Sequence, residues 1–180
     1  MALYSDAAMV LYYDIVGDNA EHDAWHTYEH MRERLSIPGF LRATRWVAQA
    51  ATPKYLVIYE LAGIDIGTSA AYLERLNHPT PWTSATMRSF RHMVRGFCDI
   101  VAGSGFGFGH AAISVRFTPR DGEEASLRDM PLLQIDVRGT VPFVHPVRSV
   151  LLVAQGAGLP SDRGRHDRLE KLPHDQWAVR

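Results

Sequence analysis

The stretch Glu21–Phe40, EHDAWHTYEHMRERLSIPGF, constrains the chain most, because it holds a helix, the helix stop and the start of a strand in one short run. Ahead of it, Asp18 and Asn19 carry side-chain oxygens able to accept the unpaired amides of a first helical turn, and Glu21 and Asp23 suit the positive end of that turn. Ser36-Ile37-Pro38-Gly39 cannot continue the helix. Pro38 lacks an amide hydrogen and pushes Ile37 toward extended geometry, while Gly39 permits the sharp reversal into Phe40.

Along this helix Ala24, Trp25, Tyr28, Met31 and Leu35 fall on one side at about 100° per residue, a stripe that faces a core. His22, His26 and His30 recur every fourth residue on the opposite side, and Arg34 continues the row. The helical wheel therefore expects the row on a solvated face. Two other roles stay open. An i, i+4 histidine pair can chelate zinc, copper or nickel, although spacing identifies no further ligand. His30, near the helix end, can instead enter a cavity as a general base or hydrogen-bond donor, since its ordinary pKa of about 6.5 suits proton transfer near neutrality.

The neighbouring segments place this helix in an α+β pattern. Ala8–Ile15 is apolar and β-rich and is closed by Gly17-Asp18-Asn19, so it reads as the strand that feeds the helix. Phe40–Ala48 and Tyr55–Leu61, separated by Thr52-Pro53-Lys54, read as an antiparallel hairpin. Gly67-Thr68-Ser69 can cap a short helix Ala70–Leu76. A second helical piece is expected from Thr83, after the HPTPW loop in which Pro79 and Pro81 forbid helix between them. His92–Ala102 supplies a fourth strand. The order strand, helix, strand, strand, helix, strand is that of a ferredoxin-like βαββαβ unit, with two helices over one sheet face and the other face open and apolar.

Beyond residue 104 the pattern weakens. Gly103–Gly109 is rich in glycine but is followed by a strand pattern, His110–Phe117, and not by the helix start that phosphate binding needs, so it reads as a linker. AAISVRFTPRDGEEASLRD then echoes AMVLYYDIVGDNAEHDAWH, a weak internal repeat. Val147–Gln155 would be its second strand and Trp177–Val179 the start of its third. Pro131 interrupts the expected helix, Arg138–Pro146 has two prolines and little periodicity, and Gly156–Pro173 is polar and loop-like. The division expected is 1–104 for a ferredoxin-like unit and 110–180 for an incomplete second repeat, ending before a second helix or fourth strand. Such a repeat leaves edges or apolar surface for a partner chain.

Composition narrows the classes. Over 180 residues, 46% are hydrophobic and 22% charged, as in an ordinary globular protein, and the net charge of −1 offers no electrostatic basis for nucleic acid or anionic membrane. Cys98 is the single cysteine, so no intrachain disulfide forms, and it reads as a small buried apolar residue. The first residues lack a basic lead and carry Asp6 and Asp14, which is wrong for a signal peptide or membrane span. A cytoplasmic protein is the expectation.

Trp25-His26-Thr27-Tyr28-Glu29-His30, followed by Pro38-Gly39-Phe40, resembles the dimeric α+β barrel superfamily, especially its EthD-like and uncharacterised tandem-repeat relatives. In that pattern an aromatic pair precedes a histidine by four residues and a Pro-Gly-Phe turn follows. Trp25 stands at the first aromatic position, His26 where a second aromatic is usual, and His30 at the histidine. Tyr59-Glu60-Leu61 with Pro79-Thr80-Pro81-Trp82-Thr83 resembles a subgroup carrying two such repeats. The resemblance covers residues 7–118 most clearly. It implies two ferredoxin-like units packed sheet to sheet around a lumen, either as a homodimer or as an internal pseudo-dimer. Relatives include cofactor-free monooxygenases, lactone isomerases, haem-dependent enzymes and proteins of no known reaction.

The leading expectation is a small apolar, aromatic or oxygenated ligand in the lumen, handled without a cofactor by an isomerase, lyase or monooxygenase with His30 as acid/base. Tyr13, Trp25, Tyr28, Trp46, Tyr59 and Trp82 are candidate walls, and Arg34 or Arg91 a candidate anchor for a carboxylate or enolate. The alternatives are a non-catalytic oligomerisation or ligand-binding module and a haem-binding barrel, the latter without an attachment motif.

Overall fold

The computed structural model describes residues 4–48, 52–102, 111–116, 134–136, 149–152 and 168–178. Strand β1 (Ala7–Ile15) leads through a turn at Gly17, φ 103°, into a helix in three parts: α1 (Asn19–Trp25), a π-helical turn (His26–His30) and α2 (Met31–Leu35). Asp18 caps it by accepting from the Ala20 amide at 2.7 Å. Pro38 and Gly39, the latter at φ 94°, reverse the chain into β2 (Phe40–Ala48), followed by β3 (Tyr55–Leu61).

A 3-10 turn (Ile64–Thr68) then precedes α3 (Ala70–Asn77), capped by Ser69, and α4 (Pro81–Thr86), capped by Thr80. Helix α4 begins at Pro81, two residues before the expected start at Thr83. Proline at the first helical position loses no hydrogen bond and has a suitable φ. β4 (Phe90–Ala102) completes an antiparallel sheet of order β4-β1-β3-β2, compatible with a ferredoxin-like unit.

The second half contributes β5 (Ala111–Arg116), β6 (Gln134–Asp136), β7 (Ser149–Leu152) and β8 (Arg168–Ala178). Their order, β8-β5-β7-β6, repeats that of the first four strands, and β8 pairs with β2 while β6 pairs with β4, so the ladder closes into a ring. A fourth strand is therefore present where the sequence pattern accounts for three, and β8 begins inside the segment read as loop. Three-residue β6 is too short to show a period of two, and Pro173 in β8 masks a strand signal. The linker Gly103–Gly109, the helix interrupted by Pro131 and the run Arg138–Pro146 lie outside the described residues.

Register puts Met9, Tyr59 and Phe97 in one row across the sheet and Leu11, Val57, Arg45 and Arg95 in the next, all on the face covered by helices. Met31, Ile37, Phe40 and Tyr72 pack against that face to make the core. The opposite face is not open. Ala8, Val10, Tyr12, Thr44, Trp46, Leu56, Ile58 and Cys98 are buried there, together with an ion pair between Arg42 and Glu60, and Glu60 also accepts the Tyr4 amide at 2.7 Å. Burial on both faces explains why β3 reads YLVIYEL without alternation. Among the described residues no helix is long and apolar enough to cross a membrane.

Candidate functional site

The histidine row is buried, which overturns the solvated face expected from the wheel. His22 is 1% exposed, His26 2% and Arg34 6%, whereas Tyr28, assigned to the core stripe, is 64% exposed. The π-helical turn explains the difference. In an α-helix, residues spaced by four drift by about 40° per step. A π-turn adds one residue to the turn, as the Met31 amide bonding back to the His26 carbonyl shows, and removes that drift. His22, His26, His30 and Arg34 consequently stay in line facing the sheet, Met31 joins them in the core, and Tyr28 is rotated outward.

His26, His30 and Arg34 of the row border a cavity of about 160 Å³ between the sheet and the helices. Met9, Leu11, Tyr13 and Tyr59 form its floor, Trp25, His26, His30 and Arg34 one wall, and Tyr72, Leu76, Thr83 and Met87 the other. Two side chains tie α4 to this wall. The Trp25 indole N–H donates to Thr83 Oγ1 at 3.1 Å, and the hydroxyls of Thr80 and Thr83 donate to Glu29 Oε1 at 2.6 and 3.2 Å. At the rim, β1 and β4 are out of register between Tyr12 and Asp14, and His92 adopts φ 51° with Nδ1 at 3.2 Å from Asp14 Oδ2. Partly exposed Met87 and Met93 border the cavity there.

Within the cavity His30 stacks on Trp25, ring centroids 4.4 Å apart. Its Nε2 faces the Arg34 Nε–H at 3.5 Å. Arginine is always the donor, so Nε2 is bare and the ring proton is assigned to Nδ1, 3.7 Å from Glu33 Oε2. At that distance Glu33 offers a charge contact and no hydrogen bond. Burial pulls the His30 pKa down to about 4, against the opposing pull of Glu33, so the ring is neutral at pH 7. His26 is held well below the usual histidine range by burial, with Arg45 adding to the effect.

Four polar atoms of the cavity-lining residues have no hydrogen-bond partner: Arg34 Nη1, His26 Nδ1, His30 Nδ1 and the Tyr59 hydroxyl. Arg34 lies over the Tyr72 ring at 5.6 Å, and no carboxylate among the described residues pairs with it. Burial raises the pKa of Tyr59, so its hydroxyl stays protonated. Arg95 is a second cationic wall residue, anchored to the Tyr72 hydroxyl at 3.0 Å. Among the described residues no three His, Cys, Asp or Glu side chains cluster closely enough to share a metal ion.

His22, at the start of the row, does not line the cavity. Its Nδ1 meets Asp23 Oδ1 at 3.1 Å and its Nε2 meets the Tyr13 hydroxyl, also at 3.1 Å. Burial lowers its pKa, against a hydrogen bond to Asp23 that raises it.

Of the residues expected at a site, Tyr13, Trp25, His30, Arg34 and Tyr59 come together in this cavity. The others do not. Tyr28 points outward, and Trp46 lies on the opposite sheet face. Trp82 donates to Glu21 Oε1 at 2.8 Å, and exposed Arg91 donates to the Arg88 and Phe90 carbonyls at 2.8 and 2.7 Å. Sequence reasoning missed His26, Tyr72 and Arg95. Strand parity relative to Phe97 would have placed Arg95, whereas the wheel put His26 on the solvated side. Comparison of the chain with protein-family models, with curated proteins and with solved structures returns no match.

Proposed function

We propose that this cavity binds a small single-ring ligand, aromatic or enone-like, bearing an ionisable oxygen, and that the protein moves a proton on it as a cofactor-independent isomerase, lyase or monooxygenase of the EthD-like type. The observation that carries this reading is that Arg34, His26, His30 and Tyr59, each with a buried polar atom that lacks a hydrogen-bond partner, all border one cavity. Each unpaired buried polar group costs about 1–3 kcal/mol, a cost a bound oxygen would offset.

Size narrows the ligand. A cavity of about 160 Å³ suits a benzene-sized ring, falls short of a drug-sized molecule and has no room for a porphyrin. Arg34 supplies the positive charge for a phenolate or enolate oxygen, and neutral His30 is in the protonation state a base requires. The strand ladder closing within one chain supports an internal pseudo-dimer over a homodimer.

A second reading, a binding module without chemistry, draws on His30 itself, because both its ring nitrogens face neighbours on its own helix. Titration with 4-nitrophenol, whose phenolate is coloured, tests the common part. Binding should shift the phenol toward its phenolate and quench Trp25, and Arg34→Met should weaken it at least tenfold. Absence of binding, or equal binding by Arg34→Met, would refute the site. Native mass spectrometry of the purified protein reports any retained organic mass and the subunit number.

A further inference from the structure

Asp23, His22 and Tyr13 form a hydrogen-bonded line from the surface to the cavity floor. Asp23 is half-buried, while His22 and Tyr13 are 1% exposed each. The Asp23 carboxylate accepts from His22 Nδ1–H, which leaves Nε2 bare to accept the Tyr13 O–H, each at 3.1 Å. Tyr13 also lines the cavity. None of the three is needed for the ligand anchor at Arg34, and His22 alone in the row is set back from the cavity.

We propose that Tyr13 is the group that takes the proton from the ligand, with His22 and Asp23 as its relay to solvent. The inference rests on the proton-transfer reading above and replaces His30 as the base. In the step, the ligand C–H adjacent to a carbonyl breaks and its proton joins the Tyr13 oxygen as the Tyr13 O–H proton passes to His22 Nε2. The electron pair of the C–H bond moves onto the ligand oxygen, making an enolate beside Arg34. His22 becomes an imidazolium paired with the Asp23 carboxylate, which exchanges the proton with water at the surface. Reversal at a different carbon completes an isomerisation with no net change in protons.

The surroundings of His22 favour a neutral resting ring, the form able to accept a proton. Tyr13 faces it from β1, Tyr55 from β3 with ring centroids 4.5 Å apart, and His26 from the next turn. Arg45 of β2 and Lys54 oppose its charged form, whereas Asp23 supports it. Arg45 also lies 3.6 Å from Asp23 and donates to Thr27 Oγ1 at 3.2 Å, holding the carboxylate beside the ring nitrogen. In this arrangement Tyr13 is catalytic and His22 and Asp23 are positioning residues.

The test is deuterium incorporation from D2O into cyclohexanone, followed by NMR, with 4-nitrophenol affinity measured on the same samples. Wild-type protein should catalyse exchange. Tyr13→Phe and His22→Gln should lose at least a hundredfold of the rate, and His22→Gln, which lies outside the cavity lining, should keep its 4-nitrophenol affinity within threefold. In Asp23→Asn the acid-side inflection of the exchange rate should move to lower pH, because the carboxylate that favours the imidazolium is gone. A purely structural Asp23 would not move it. Full exchange by Tyr13→Phe, with loss in His30→Gln, would overturn the relay and return the base to His30. Binding of 4-nitrophenol without exchange by the wild type would also overturn the relay while leaving the site intact. Absence of 4-nitrophenol binding would remove the site and the relay together.

Discussion

Arg34→Met should make the empty protein more stable while weakening anion binding at the proposed site. Arg34 is 6% exposed and pairs with no carboxylate among the described residues. The loss of hydration of a buried ion costs several kcal/mol, about 4 as a working figure. Lying over Tyr72 at 5.6 Å recovers about 1–2 kcal/mol, and donation to His30 at 3.5 Å, the long edge of a hydrogen bond, about 1 kcal/mol. These terms stand about 1–2 kcal/mol against the folded state, an amount that the charge attraction between Arg34 and Glu33 reduces. Methionine has similar length and no charge to desolvate, so the variant should gain at most that amount. In a chain of this size the gain corresponds to a midpoint rise of about 2–8 °C. Urea and thermal unfolding followed by circular dichroism at pH 7 measure it, after coincidence of two probes establishes two-state behaviour. A destabilisation above about 1 kcal/mol would show that Arg34 is satisfied by the fold, and the case for an anion site would lose its basis.

Protonation should link stability to pH through His30. Its folded pKa, about 4, lies below the ordinary 6.5, so between these values the unfolded chain binds a proton that the native protein does not. The contribution is complete above pH 6.5 and falls by about 3 kcal/mol as pH drops to 4, and His26 and His22 act in the same direction. His30→Gln should flatten the unfolding free energy across that window, and an unchanged slope would contradict the assignment. Thr83→Val strands the buried Trp25 N–H and should cost about 1–3 kcal/mol in urea unfolding, with loss of less than 0.5 kcal/mol refuting the role of that bond. Gly39→Ala should cost about 1–3 kcal/mol, since φ is 94° and the new Cβ would overlap the Ile66 side chain; neutral behaviour would mean the turn relaxes freely.

Strands were the most legible part of the sequence. Phe40–Ala48 and Tyr55–Leu61 are where hydropathy and turn residues put them, because Pro38-Gly39 and Thr52-Pro53 punctuate the chain at both ends. The walls Tyr13, Trp25, Arg34 and Tyr59 could be named from composition, yet their meeting depends on strand parity and pairing that only the register supplies. Helix phase was the main loss. A uniform 100° wheel assumes an unbroken α-helix, and nothing in HTYEH announces the extra residue in the turn. Trp46 illustrates the limit for strands: alternation separates two faces but does not say which one meets the helices.

The same turn makes the site sensitive to chain length in a way that residue substitution is not. Removing one residue between His26 and His30 restores α-helical geometry and swings everything downstream by about 100°. Arg34 would then leave the cavity and Met31 would leave the core, although every remaining side chain is unchanged. A single-codon deletion could therefore switch the charge of the pocket off, and a single-codon insertion into an ordinary amphipathic helix could have created it.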